Sequence, residues 1–97
     1  MIFADLKYSG CYEGVHDELF LFLQRRFDHV EGGLQGDSWI FVRLNGAEVQ
    51  VDTFLSMTHQ IKSSRPGEHV QSVIGALRER YKILDYAEPE PEPHEGS

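Results

Sequence analysis

The chain reads as an α+β protein, a ferredoxin-like β-α-β-β-α-β two-layer sandwich with an antiparallel sheet and both helices on one face. Three observations predict it. Residues 39–52, WIFVRLNGAEVQVD, alternate apolar and polar on both sides of Asn45-Gly46, the dipeptide that supplies the two positive-φ positions of a tight type I′ hairpin turn. A helical apolar stripe lies on each side of that hairpin, and a short strand pattern lies outside each helix.

The first strand covers residues 2–8, where Ile2, Ala4, Leu6 and Tyr8 alternate with Phe3, Asp5 and Lys7. Ser9-Gly10 breaks it. From about Glu13 to Phe27 the period becomes helical: Val15, Leu19, Phe22, Leu23 and Phe27 fall near one face. Asp17 and Glu18 lie early in that helix and Arg25-Arg26 late, as the helix dipole favours. Residues 31–37, with three glycines, read as a flexible connection. In the hairpin, a two-residue turn sets Leu44 opposite Ala47, Val42 opposite Val49 and Ile40 opposite Val51, all apolar. Its second strand is expected to run on to Ile61, with a bend near Phe54 to Ser56. Pro66 suits the first turn of a second helix, in which Val70, Val73, Ile74, Leu77 and Tyr81 recur at i, i+3, i+4, i+7 and i+11. Residues 83–86 form a short last strand. One domain spans residues 1–86, and residues 87–97, with their Glu-Pro repeat, read as an extended, disordered acidic tail. Right-handed crossovers then place strands 1 and 3 centrally and 2 and 4 at the edges.

Composition bounds the function. The 97 residues carry 9 Lys+Arg against 16 Asp+Glu, a net charge of -7. Glu88, Glu90, Glu92 and Glu95 belong to the tail, so residues 1–86 are only mildly acidic. An acidic domain repels a phosphate backbone, which argues against nucleic acid and against an anionic membrane surface. The single cysteine, Cys11, forms no intramolecular disulfide. No signal-peptide or membrane-spanning run is present, so a cytoplasmic location is expected.

Two surfaces carry the functional expectation. Opposite the helix-packed face, the hairpin pairs Arg43 with Glu48, Phe41 with Gln50 and Trp39 with Asp52. Trp39, Phe41 and Phe54, joined by Phe3 and rimmed by Arg43 and Glu48, then lie on a sheet face that no helix covers, and exposed aromatics there signal contact with another molecule. The second surface is a possible anion or ligand site. Lys62, Ser63, Ser64 and Arg65 precede a helix N-terminus, and His59 and His69 are expected at the same end of the sheet as His29 and the Gly32–Gly36 segment. Cys11 is expected at the opposite end.

The histidines lack tight ligand spacing, so no metal is implied. No phosphate loop, dinucleotide fingerprint, serine nucleophile motif or paired acid-base signature occurs, so no catalytic residue and no cofactor is assigned. The expectation is a small non-enzymatic domain acting by association, as a homodimer or with a protein partner, through its open sheet face. The alternative is a small-ligand-binding protein or a dimeric α+β-barrel enzyme with a pocket between sheet and helices; a small anionic ligand is the expectation for the Lys62–Arg65 surface.

Overall fold

A computed structural model describes residues 1–92 of the chain. The elements are β1 (Ile2–Lys7), α1 (Tyr12–Arg26), β2 (His29–Gln35), β3 (Asp37–Leu44), β4 (Ala47–Asp52), β5 (Gln60–Lys62), α2 (Glu68–Arg78) and β6 (Lys82–Glu90). The six strands form one antiparallel sheet in the order β2-β3-β4-β5-β1-β6.

The architecture is α+β with both helices on one face, but the strand order is not that of a four-stranded ferredoxin-like sheet. Two segments account for the difference. The glycine-rich stretch expected as a loop is β2, paired with β3 along its whole length from His29↔Arg43 to Gln35↔Asp37. The long strand expected after Ala47 instead folds back: β4 ends at Asp52, residues 53–59 turn, and β5 returns antiparallel with Gln50 opposite Lys62. That reversal inserts a strand between the hairpin and β1. The connection through α1 therefore passes three strands, whereas the connection through α2 passes only β1.

The hairpin register matches the alternation in sequence at every pair, from Trp39↔Asp52 to Leu44↔Ala47. Asn45 and Gly46 carry φ of 53° and 72°, the left-handed pair that a type I′ turn needs.

Side chains on alternate strand positions build a core against the helices. Ala4, Leu6, Ile40, Val42, Val49, Val51 and Ile61 meet Leu19 and Leu23 of α1 and Val70, Val73, Ile74 and Leu77 of α2. Phe3, expected on the open face, belongs to this core instead. The cause is an irregularity between Ile2 and Ala4, where two steps of β1 oppose one step of β5. It shifts Ile2 to the register of Lys62, on the far side of the sheet.

The last strand is longer than expected. Residues 87–90, assigned by composition to a disordered tail, continue β6, and Glu90 stands opposite Ile2. The rest of the expected tail, residues 93–97, lies outside the described residues. Among the described residues no helix is long and apolar enough to cross a membrane.

Candidate functional site

The open face is the side of the sheet away from the helices. Register places Leu84, Asp5, Gln60, Asp52, Trp39 and Gly33 in one row across all six strands. Ile2, Lys62, Gln50, Phe41 and Glu31 form the next row, and Glu48, Arg43 and His29 the one beyond. One end of this surface is aromatic and the other is charged.

At the aromatic end Trp39 and Phe41 are half-buried, their ring centroids 5.0 Å apart. The indole lies across β2, where a Cβ on Gly33 would stand 2.8 Å from the ring. A Cβ on Gly32 would stand 2.6 Å from the carbonyl oxygen of Trp39. The two glycines are thus what lets β2 pass beneath the tryptophan. Arg43 pairs with Glu48 at 3.3 Å and with Glu31 at 3.8 Å.

At the charged end Lys62 is 1% exposed and donates to Asp52 Oδ1 at 2.6 Å, with Glu92 at 3.5 Å. Phe54 folds back over this ammonium, 5.9 Å from Nζ to the ring centroid, while its backbone N–H donates to Asp52 Oδ1. Burial raises the pKa of Asp52 above its ordinary value, against the lowering effect of Lys62. Beside this pair, Tyr86 donates to Asp5 at 2.6 Å and the side-chain amide of Gln60 donates to Asp5 at 3.3 Å. Burial and the Asp5 carboxylate push the Tyr86 phenol up to about 12. Gln60 Oε1 is buried with no hydrogen-bond partner among the described residues. The charges of this end are largely matched within the chain.

Of the residues expected to form an anion site, Ser63, Arg65 and His69 meet at the start of α2, while Lys62 and His59 lie elsewhere. Lys62 points to the open face and is held by carboxylates. Ser63 Oγ lies 2.7 Å from the Glu48 carbonyl and 3.0 Å from His69 Nε2, a structural latch between β4 and α2. Ser64 and Arg65 are exposed, and the Arg65 carbonyl lies 3.1 Å from His69 Nε2. Pro66 precedes the helix, whose N-cap is Gly67. His59 lies at the other end of the sheet, beside the Gly36 turn, because β5 runs opposite to the strand expected there. Cys11 shares that end, since the next residue, Tyr12, donates to the Gly36 carbonyl.

Sequence reasoning missed the contact that His59 makes. Half-buried Tyr8 and buried His59, Ser38 and His16 form a chain from four separate segments. The distances are 2.8 Å from Tyr8 Oη to His59 Nδ1, 2.7 Å from His59 Nε2 to Ser38 Oγ, and 2.5 Å from Ser38 Oγ to His16 Nδ1. The backbone N–H of His59 donates to Tyr8 Oη. The tautomers of the two imidazoles set the direction of the other three bonds. Burial, with His16 nearby, lowers the His59 pKa to about 4. Ser38 has no exposed surface. A serine between two histidines resembles a nucleophile with its base, but a nucleophile must reach a substrate. This one instead locks the end of the sheet. No spacing in the sequence signals it, because the four residues meet only through the tertiary fold.

Exposed apolar surface gathers just outside the charged end. Phe54 is 47% exposed, Leu55 50% and Met57 80%, all on the turn between β4 and β5. The surface depressions are shallow and lie along the β2–β3 edge and the hairpin tip, lined by Asp28–Glu31, Phe41 and Arg43–Glu48. Neither involves Trp39 or Phe54. Among the described residues no group of three or more His, Cys, Asp or Glu is gathered in a way that would hold a metal ion. Comparison with protein-family models, curated proteins and solved structures finds no match to this chain.

Proposed function

We propose that this chain is a small non-catalytic association domain that docks a protein partner on the open face of its sheet. The observation that carries the reading is the pattern of exposure on that face. Its charges are paired within the chain, while Trp39 and Phe41 remain half-buried at the aromatic end and Phe54, Leu55 and Met57 stand exposed on the turn just outside the charged end. Apolar side chains with a satisfied polar surround suit a protein surface better than a small charged ligand. The rim pair Arg43–Glu48 tunes orientation rather than affinity. The shallow depressions, and the lack of exposure at Ser38, give no support to a pocket enzyme.

The test pairs wild type with Phe54→Ser plus Met57→Ser. Met57 is 80% exposed and Phe54 47%, and the comparison is made on a variant whose circular dichroism is native. Each form is cross-linked in its own cells and recovered. A protein held by wild type and lost by the folded variant is expected. The same set of proteins held by both would retire the reading.

A further inference from the structure

The two edges of the sheet are unequal. The outer edge of β6 is blunted: it carries Asp85, Glu88, Pro89 and Glu90, and proline and like charges discourage another strand from adding there. The outer edge of β2, His29–Gln35, has no proline and a single acid, Glu31, and no strand pairs with it among the described residues. An open edge of this kind is a template for strand addition.

The geometry points to a second copy of this chain as the occupant, added antiparallel through β2 about a two-fold axis at Gly32. That register overlaps the whole seven-residue strand. It sets Val30 opposite Leu34 of the second copy on the helix-side face, and Leu34 is 42% exposed in the single chain. It sets His29 opposite Gln35 and Glu31 opposite Gly33, so no like charges face each other. Gly32 meets its own counterpart, where no side chain blocks approach.

A second complementarity falls in the same register. The Trp39 indole lies over Gly33, with Nε1 2.8 Å from where a Cβ would be, and its N–H makes no hydrogen bond to the described residues. Glu31 of the second copy arrives opposite Gly33 on that face and brings an acceptor to this donor. By symmetry the contact occurs twice. The inference goes beyond the docking of a partner: the seam joins two copies edge to edge, and the two aromatic strips become one continuous platform with the docking face still free. The seam is short against a standard interface, so pairing is concentration-dependent.

Sedimentation of the full chain from low micromolar to millimolar concentration tests this. The mass is expected to rise from one chain to two. Leu34→Lys, a substitution at an exposed position that counts twice in the dimer, is expected to weaken pairing about tenfold. Leu84→Lys, at a somewhat more exposed position on the other edge strand, leaves it unchanged. On dilution of wild type the indole N–H resonance of the only tryptophan moves, and Glu31→Ala removes that movement. A single-chain mass throughout, or a dimer indifferent to Leu34→Lys in a folded variant, overturns the seam. Weakening of the dimer by Phe54→Ser would overturn it too, and would place self-association on the open face. Loss of the partner by the Phe54 variant with the dimer intact keeps both readings.

Discussion

Lys62 and Asp52 form a buried ion pair on the face of the sheet opposite the helices, 2.6 Å apart and 1% and 2% exposed. A pair at this depth is weak evidence of stability by itself, because both ions lose their hydration. Its partners explain its persistence. Glu92 reaches the same ammonium from beyond β6, Phe54 roofs it, and the Phe54 backbone N–H adds a further bond to the carboxylate.

Removing the Asp52 carboxylate leaves the buried ammonium with Glu92 alone, at 3.5 Å. Asp52→Ala is therefore expected to destabilise the chain by about 3–5 kcal/mol. Asp52→Asn, which keeps the shape and an acceptor, costs less. Urea unfolding of both variants measures the difference, and equal stability of Asp52→Ala and wild type would mean the ammonium finds water.

Acid should loosen the end of the sheet where His59 is buried. Its folded pKa, about 4, lies below its ordinary value of 6.5. A base held neutral in the fold contributes full stability above the unfolded pKa and loses it as pH falls through the folded one. The expected loss is about 3 kcal/mol between pH 6.5 and 4. Asp52, with its pKa raised by burial, contributes with the opposite sign. Unfolding measured across that window should show a slope that His59→Gln removes; an unchanged slope in the variant would assign the effect to other groups.

Gly33→Ala is expected to cost about 1–3 kcal/mol, since the new methyl would sit 2.8 Å from the Trp39 ring and the indole would have to move. Trp39 is the only tryptophan, so its emission reports the move directly. Unaltered emission and stability would show that the ring does not rest on β2.

Leu77→Asp or Val73→Asp should abolish the fold. Both side chains are fully buried between α2 and the sheet, and an unpaired charge there costs about as much as a small domain's whole stability. Circular dichroism of either variant decides it, with a retained native spectrum as the contrary result.

The open face was partly legible in the chain and partly not. Trp39 and Phe41 are assigned to it by alternation alone, because the Asn45-Gly46 turn leaves one register in which Ile40, Val42 and Leu44 meet apolar partners. Phe3 defeats the same logic, since an irregularity in β1 breaks the two-residue period. Lys62 reads as a cation beside a helix start, and nothing in its neighbours announces that β5 turns it beneath Phe54.

Local pattern by itself determined the hairpin register, the two amphipathic helices and the aromatic side of the sheet, because each follows from periodicity and turn chemistry within a few residues. Tertiary structure alone decided that glycines 32 and 33 form a strand, that the chain reverses at residues 53–59, and that Tyr8, His59, Ser38 and His16 meet. The physical reason is common to all three. A glycine's value depends on what crosses it, here the Trp39 indole. A reversal depends on which edge is free to pair, and a buried polar chain depends on segments up to 51 residues apart satisfying one another.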